Sequence, residues 1–335
     1  MSLSIESPGL LTTIQDAGRL GYQKDGMVVS GAMDAYALRL ANMLVGNPES
    51  AAALEITLLG PTIRFNTDLL ISLTGADLSP TINNEPVKMW RPVFVAAGSI
   101  LAFGAPRAGC RSYLAVAGGF AIPSVMGSHA TFLRAGIGGW QGRALQSGDL
   151  LPVKGIPAEI TSFVEILRAD AAAGGWQQAD WSAIPDFYLN GVPENVIRVV
   201  KGPEYDLFAG SSTEDFWQSD YKVSSHSDRM GYRLNGPTLA LATPAELLSG
   251  AVTFGTIQVP PDGNPIVLLA DHQTTGGYPR IAQVVTADFP KLAQVPPGRD
   301  IRFEEISLEE AHLLYIQREK AIESLRSALH LKLTR

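Results

Sequence analysis

The sequence predicts a mostly β protein with a few helices. Glycine and proline number 33 and 22 in a chain of 335 residues, and both are spread along its whole length. Between them lie short apolar runs of strand length, such as residues 68–74, 93–96 and 265–270. Short apolar runs that alternate with turn-forming residues are typical of antiparallel sheets and barrels. We therefore expect β-sheet to form most of the core.

The composition limits the classes of protein and of partner. Hydrophobic residues make up 46% of the chain and charged residues 18%, which excludes a disordered chain and allows two domains with substantial cores. Acidic residues outnumber basic ones by 33 to 26, for a net charge of −7. Nucleic acids and anionic membranes attract basic surfaces. We therefore expect no nucleic acid and no membrane among the partners.

Cysteine content and the first residues indicate the cytoplasm. The single cysteine, Cys110, has no second cysteine to pair with, and residues 1–6 lack the pattern of a secretory signal. Residues 92–106 and 112–133 contain few or no charges, which makes them candidates for membrane spans. Glycine, proline and β-branched residues interrupt both segments, so we interpret them as core sheet.

Two segments have helical periodicity. In the first, about residues 34–44, apolar residues repeat at helical spacing and Gly46 follows as a stop signal. The second begins at a capping box formed by Ser307 and Glu310 and runs towards His330. Its apolar side is predicted to carry Ala311, Leu314, Tyr315 and Ile322, and its polar side Arg318, Lys320 and Glu323.

A change of composition near the middle of the chain predicts a domain boundary. Residues 168–184 are poor in branched apolar residues, as expected of a connector. We predict an N-terminal β domain at 1–167 and a C-terminal β domain with a C-terminal helix at 185–335. The motif Arg-Leu-Gly-Tyr at 19–22 is similar to Arg-Met-Gly-Tyr at 229–232, which suggests that the two halves of the chain are related.

The densest polar cluster, residues 271–280, directly follows an apolar run and is called the Asp271 loop below. It contains Asp, His, Gln, two Thr and two Gly in succession, and a glycine-rich loop after a strand is a common place for a site. Asp271 and His272 are candidate acid–base groups. Gln273 and Thr274 supply hydrogen-bonding groups, and Arg280 is suited to clamp a carboxylate. The alternative is a tight turn in which His272 only packs against a neighbour.

Two further clusters have both functional and structural interpretations. In residues 224–236, Arg229 can recognise a carboxylate or phosphate, or the segment is a hairpin whose charges pair with one another. In residues 12–34, Ser30 or Asp34 caps the first helix, and its N-terminus can also accept an anion.

The sequence lacks the motifs of common ATP-binding and metal-binding sites. The sequence has no G-x-x-x-x-G-K-[S/T] loop for ATP phosphates, and its five histidines are too scattered for metal-ligand spacing. We therefore predict no metal site, and we expect that this chain does not supply a whole ATP site.

Seven ordered segments together carry a family resemblance: 8–22, 30–34, 73–76, 111–119, 227–234, 255–263 and 273–279. They resemble the biotin-dependent carboxyltransferase family over almost the whole chain. Within the family they are most similar to the branch of the 5-oxoprolinase C subunits, also called KipA or allophanate hydrolase subunit 2. The resemblance implies two cyclophilin-like β-barrel units.

The resemblance also implies a function and partners. Members of this branch work with the A and B subunits of 5-oxoprolinase, of which B is KipI-like, to open 5-oxo-L-proline to L-glutamate at the expense of ATP. Two alternatives exist in the family: a carboxyltransferase component that acts on urea or allophanate, and a regulator that antagonises a KipI-like kinase inhibitor. The sequence lacks the Ala-Met-Lys-Met motif of a biotin carrier, so no biotin is expected on this chain. Homo-oligomerisation within the complex is a further possibility.

Each enzymatic alternative requires residues that hold and polarise an amide or urea-like carbonyl. The candidate catalytic residues are Asp271, His272 and Gln273. Relatives commonly carry a small or different residue where this chain has His272, so the resemblance favours Asp271 and Gln273. The candidate substrate-binding residues are Thr274, Gly276, Gly277, Tyr278, Arg280, Arg229 and Tyr232. Secondary candidates are Gln15, Asp16, Arg19, Ser30 and Asp34.

Overall fold

The computed structural model describes residues 1–171, 175–183 and 195–334. The chain forms two compact units. Unit 1 contains Met1–Arg19, Asp34–Asn190 and Ala321–Arg335, and unit 2 contains Leu20–Met33 and Gly191–Lys320. A short N-terminal segment thus belongs to unit 2, and the last residues of the chain belong to unit 1.

Unit 1 is built on two six-stranded sheets that enclose an apolar core. The first sheet consists, in spatial order, of β11 (Leu150–Pro152), β1 (Ser2–Ser7), β4 (Thr62–Phe65), β9 (Ile100–Ala102), β6 (Thr81–Ile82) and β7 (Glu85–Pro86). The second consists of β12 (Trp176–Gln178), β8 (Pro92–Val95), β5 (Leu69–Asp77), β10 (Ala108–Val116), β3 (Ala53–Thr57) and β2 (Leu11–Gln15). Leu3 and Ile5 of β1 and Ile71 and Leu73 of β5 lie in one buried cluster. Their spacing of two residues is that of strands with one face in the core.

The first predicted helix is confirmed as α1 (Ala35–Leu44). Asp34 is its N-cap, since its Oδ1 accepts from Ala37 N at 2.9 Å. Gly46 follows the helix with a φ of +72°, the left-handed conformation that glycine adopts at little cost. Thr74 of β5 donates to Ala37 O at 2.7 Å, which fastens α1 to the second sheet. A second helix of unit 1, α2, spans Thr161–Ala169.

Unit 2 is built on a closed barrel. Its strands, in spatial order, are β13 (Val196–Lys201), β20 (Arg280–Val284), β17 (Thr256–Gln258), β18 (Ile266–Leu268), β15 (Gly231–Asn235), β14 (Tyr221–Val223) and β21 (Asp300–Glu305). β13 and β21 pair in parallel, whereas the other barrel neighbours are antiparallel. A short ladder joins β16 (Gly250–Ala251) to β19 (Thr275–Gly276). The helices α3 (Gly210–Gln218) and α4 (Phe289–Ala293) complete this part of the unit.

The predicted C-terminal helix is confirmed as α5 (Leu308–Leu333). Its capping box is present, since Ser307 N donates to Glu310 Oε2 at 2.9 Å and Glu310 N donates to Ser307 Oγ at 3.1 Å. The predicted division of its sides is wrong at two positions. Tyr315 is 46% exposed, whereas Arg318 is half-buried and donates to the main-chain oxygens of residues 286 and 287. An arginine can lie on a packing face when backbone carbonyls accept its donors.

The prediction of a mostly β fold is confirmed. The second of the two apolar segments is sheet only as far as Val116, because residues 117–133 form turns and isolated bridges. Of the predicted connector, residues 172–174 and 184 lie outside the described part of the chain, and β12 within it pairs with β8. No helix of the described residues has the length and apolar character that crossing a membrane requires. A cyclophilin-like fold stays a prediction.

Candidate functional site

The Asp271 loop begins where the barrel strand β18 ends. Leu269 N donates to Met230 O at 2.9 Å and Asp271 N donates to Arg229 O at 2.8 Å. These bonds extend the pairing of β18 with β15 beyond the strand ends. The main chain therefore brings Asp271 beside Arg229, although the two residues belong to separate clusters of the sequence.

Arg229 and Asp271 form a buried ion pair. Arg229 Nε lies 3.0 Å from Asp271 Oδ2, and Arg229 Nη2 lies 3.2 Å from Asp271 Oδ1. The two residues are 6% and 5% exposed. A guanidinium that donates to both oxygens of a carboxylate fixes its orientation as well as its charge. This pair is the charged centre of the candidate site.

Ser30 and Gly31 contact the same pair from the N-terminal segment of unit 2. Ser30 Oγ donates to Asp271 Oδ1 in a short hydrogen bond. Gly31 O accepts from Arg229 Nη2 at 2.5 Å. Ser30 is 6% exposed and has a φ of +59°, in the left-handed region that favours glycine. Asp34, not Ser30, caps α1, so the contact with Asp271 is the role that the structure gives Ser30.

His272 is half-buried next to this pair. Its Nδ1 lies 2.5 Å from Gln273 O, and because a carbonyl only accepts, Nδ1 carries the proton. Nε2 has no hydrogen-bond partner within residues 1–171, 175–183 and 195–334 and is left as the basic nitrogen. Burial lowers the pKa of His272, against the raising effects of Gln273 O and Asp271. His272 is therefore suited to accept a proton near neutral pH.

The two glycines of the loop have different surroundings. A Cβ at Gly276 would overlap the side-chain amide of Gln258, a residue that is 1% exposed. Gly276 also pairs with Gly250 across the β16–β19 ladder. A Cβ at Gly277 would meet only Ser249 Oγ at 3.3 Å and Leu247 O at 3.6 Å. Gly276 is thus required by packing, whereas Gly277 lies in the more open part of the loop.

The other predicted loop residues lie at or near the surface. Gln273 and Thr274 are half-buried, and Thr274 O accepts from Val252 N at 3.2 Å. Tyr278 is 47% exposed, and its carbonyl accepts from Gln258 Nε2 at 3.4 Å. Tyr278 and, in part, Gln273 are therefore accessible to a small molecule.

Two predicted substrate-binding residues have protein partners instead. Arg280 Nε and Nη2 donate to Glu204 Oε2 and Oε1 at 2.7 and 2.6 Å. Tyr232 is 1% exposed and donates its hydroxyl to Val295 O at 2.8 Å. Both placements favour structural roles, because the polar groups that would bind substrate are already engaged.

Three of the secondary candidates, Gln15, Asp16 and Arg19, form hydrogen bonds within unit 1, whereas Asp34 caps α1. Asp16 accepts from Gly18 N, Ser128 Oγ and His129 N at 2.8, 2.7 and 2.5 Å. Arg19 is fully buried and donates to main-chain oxygens of residues 125 and 130 at 3.0 and 2.9 Å. Gln15 is fully buried as well and donates to Thr131 O at 3.1 Å. These contacts hold a loop in place and leave none of the three side chains exposed to solvent.

Sequence reasoning gives no role to Glu204 or Gln258, and it does not connect Ser30 with Asp271. Gln258 lies in one of the seven motifs, which is a usable signal. Glu204 follows a Gly-Pro pair, but nothing local indicates its ion pair with a residue 76 positions away. Among the described residues, no group of three or more His, Cys, Asp or Glu side chains could hold a metal ion.

Known proteins resemble this chain over nearly its whole length. It is 43% identical to the 5-oxoprolinase C subunit of Escherichia coli (strain K12), with 98% of this chain and 99% of that protein covered. It is 41% identical to the Haemophilus influenzae protein of the same name, with 94% of each covered. The solved structure of the K. lactis urea amidolyase matches with a TM-score of 0.81 and 31% identity, over 96% of this chain but only 20% of that one.

These similarities confirm the resemblance predicted from the seven motifs. The family model described as the carboxyltransferase domain, subdomain A and B, matches residues 25–305. This range includes Ser30, Arg229 and the whole Asp271 loop. Because it spans well over half of the sequence, the chain belongs to the carboxyltransferase domain family.

Proposed function

We propose that this chain is the C subunit of an ATP-dependent 5-oxoprolinase, which opens 5-oxo-L-proline to L-glutamate together with the A and B subunits. The observation that supports it most strongly is the 43% identity to a 5-oxoprolinase C subunit, with both chains covered almost end to end. Urea amidolyases share less identity, and this chain spans only 18% of their length.

The ring-opening step of this reaction adds water to the lactam carbonyl and breaks the ring C–N bond. The ATP consumed in the overall reaction becomes ADP and phosphate. The water oxygen bonds to the carbonyl carbon, one water proton goes to a base, and the ring nitrogen leaves as the amine after it takes up a proton. In this proposal His272 Nε2 accepts the water proton and returns it to the nitrogen. The Gln273 carboxamide and the backbone N–H of Gly277 hydrogen-bond the carbonyl oxygen as negative charge develops on it.

Asp271 has a different role in this proposal. Its oxygens already accept from Ser30 and from two nitrogens of Arg229. Both carboxylate oxygens are thus already engaged as hydrogen-bond acceptors. Asp271 therefore fixes the start of the loop, and proton transfer is assigned to its neighbour His272.

Substrate and nucleotide recognition extend beyond these residues in our proposal. Arg229 and Arg280 donate to Asp271 and Glu204, so neither guanidinium is presented to a substrate carboxylate or to phosphate oxygens. We propose that the other subunits supply the ATP site, and no step on this chain is derived through the nucleotide. Biotin likewise has no proposed place here.

The test is glutamate release from 5-oxoproline and ATP by the complex assembled with its cognate A and B subunits. We expect release to disappear when this chain is omitted and to return when it is added. An assembled but inactive mixture would contradict the proposal.

The role of His272 has its own test in the same assay. We expect His272→Ala to lose most of the activity, whereas His226→Ala retains it, because His226 is exposed and lies outside the Asp271 loop. Full activity of His272→Ala would remove His272 from the mechanism.

The second candidate is carboxyl transfer to urea. It is supported by the TM-score of 0.81 to the K. lactis urea amidolyase. This chain would then require a biotin carrier and a biotin carboxylase on other chains. The discriminating measurement is urea-dependent consumption of carboxybiotin by the assembled complex, which we expect to be absent.

A further inference from the structure

The backbone at Ser30 is unusual for a buried serine. Its φ of +59° lies in the left-handed region, which residues with a Cβ occupy at an energetic cost. Such a conformation persists only when the surrounding structure enforces it, and it is enriched at functional sites. Ser30 is also 6% exposed, so contact with solvent does not explain it.

The left-handed turn lets one short segment contact both members of the buried ion pair. The Ser30 hydroxyl donates to Asp271 Oδ1. The carbonyl of the next residue, Gly31, accepts from Arg229 Nη2 at 2.5 Å. Both partners also lie in unit 2, Arg229 198 positions after Gly31 and Asp271 241 positions after Ser30. The segment thus joins the N-terminal part of unit 2 to the first residue of the Asp271 loop.

We propose that Ser30 is a positioning residue for the Asp271 loop. Its hydroxyl holds the Asp271 carboxylate, and Asp271 in turn fixes the main chain from which His272 and Gln273 project. The catalytic consequence rests on the proposed function, whereas the restraint on the loop does not. Because a misplacement of about 1 Å in a site can cost about 100-fold in rate, a lost restraint is expected to lower kcat.

Three variants of Ser30 distinguish the effect of its hydroxyl from the effect of its left-handed backbone conformation. Ser30→Ala removes the hydroxyl and keeps the left-handed strain. Ser30→Gly removes the hydroxyl and relieves the strain. Ser30→Asn tolerates the left-handed backbone and provides an amide donor for Asp271. The matched control is Ser79→Ala, since Ser79 also has a positive φ, of +51°, but donates to Ala105 O in unit 1.

The first measurement is amide hydrogen exchange of the purified chain over residues 266–277. Amides of this segment are bonded to main-chain oxygens of Arg229, Met230 and Leu269. We expect Ser30→Ala and Ser30→Gly to exchange at least about threefold faster there, because loss of the restraint makes local opening easier. We expect Ser79→Ala to match the wild type. Unchanged exchange in both Ser30 variants would overturn the proposal.

The second measurement is the kinetics of the assembled complex. We expect Ser30→Ala and Ser30→Gly to lower kcat by about tenfold to 100-fold with KM changed less than about twofold, and Ser30→Asn to recover part of kcat. Full activity of Ser30→Gly would show that the hydroxyl does not affect catalysis. Faster exchange with an unchanged kcat would limit Ser30 to a structural role and overturn its catalytic part.

These outcomes are distinguishable from failure of the proposed function. If the wild-type complex does not open 5-oxoproline, the proposed function fails. Faster exchange in the Ser30 variants would then still establish the restraint on the loop.

Discussion

The two Arg-x-Gly-Tyr motifs, at 19–22 and 229–232, each contain an arginine, and the two arginines lie in different environments. Arg19 is fully buried in unit 1 and donates to main-chain oxygens of residues 125 and 130. Arg229 is 6% exposed in unit 2 and donates to the carboxylate of Asp271, which also accepts from Ser30. A guanidinium bonded to carbonyls fastens a loop, whereas one bonded to a carboxylate beside a histidine creates a charged centre. The two arginines therefore differ in the groups that accept their hydrogen bonds, although they share a sequence motif.

The largest effect is expected from Arg229→Met. The variant leaves the Asp271 carboxylate buried without its counter-charge, and breaking a buried pair in this way costs about 3–5 kcal/mol of unfolding free energy. Urea unfolding of the purified chain measures it. The double variant Arg229→Met with Asp271→Leu should recover most of the stability, because apolar pairs replace buried ion pairs at little cost. It should not recover activity of the complex, and an active double variant would show that the pair has no functional role.

Arg19→Met is expected to have a smaller effect on stability. It removes a donor from each of two main-chain oxygens in unit 1. Val125 O still accepts from Ser128 N at 3.2 Å, whereas Ala130 O loses its donor, so we expect a loss of about 1–3 kcal/mol. Urea unfolding again measures the change. Activity per folded molecule in the assembled complex should equal that of the wild type. A selective loss of kcat in a fully folded Arg19→Met chain would remove the distinction between the two arginines.

A third expected effect concerns pH and His272, the residue that follows Asp271. Burial lowers the pKa of His272 below its ordinary value of 6.5, so the neutral, basic form persists at pH 6.5 and is lost as the pH falls through the lowered pKa. We expect the kcat of the complex to fall about tenfold per pH unit below that point. His272→Gln should have a low kcat that does not fall further as the pH is lowered. If kcat of the variant fell with pH as that of the wild type does, the pH dependence would belong to another group.

Local features were predictable from the sequence, whereas contacts between distant segments were not. Asp34 as the N-cap of α1 and the Ser307–Glu310 capping box follow from chemistry within four residues, and both are confirmed. The Asp271 loop is distinguished by its polar density after a strand. The bond from Ser30 to Asp271 spans 241 positions, so no local pattern indicates it. The prediction for Arg318 was wrong because the carbonyls that accept its donors come from residues about 30 positions away.

The smallest effect is expected at another arginine–carboxylate pair of unit 2, that of Arg280 with Glu204. Glu204 and Arg280 bond through both carboxylate oxygens but remain 16% and 29% exposed at their side chains. Partial exposure to water weakens such a pair, so Glu204→Gln should cost only about 1 kcal/mol of unfolding free energy.

The contribution of the Glu204–Arg280 pair to the free energy of unfolding should depend on pH. The Arg280 guanidinium lowers the pKa of Glu204 below its ordinary value of 4.5 despite the opposing effect of burial. The contribution of the pair is therefore present above pH 4.5 and is lost as the pH falls through the lowered pKa. The difference between wild type and Glu204→Gln in urea unfolding should shrink over that range. A cost as large as that of Arg229→Met would mean that burial does not distinguish the two pairs, and that the Arg229–Asp271 pair needs another explanation for its place in the site.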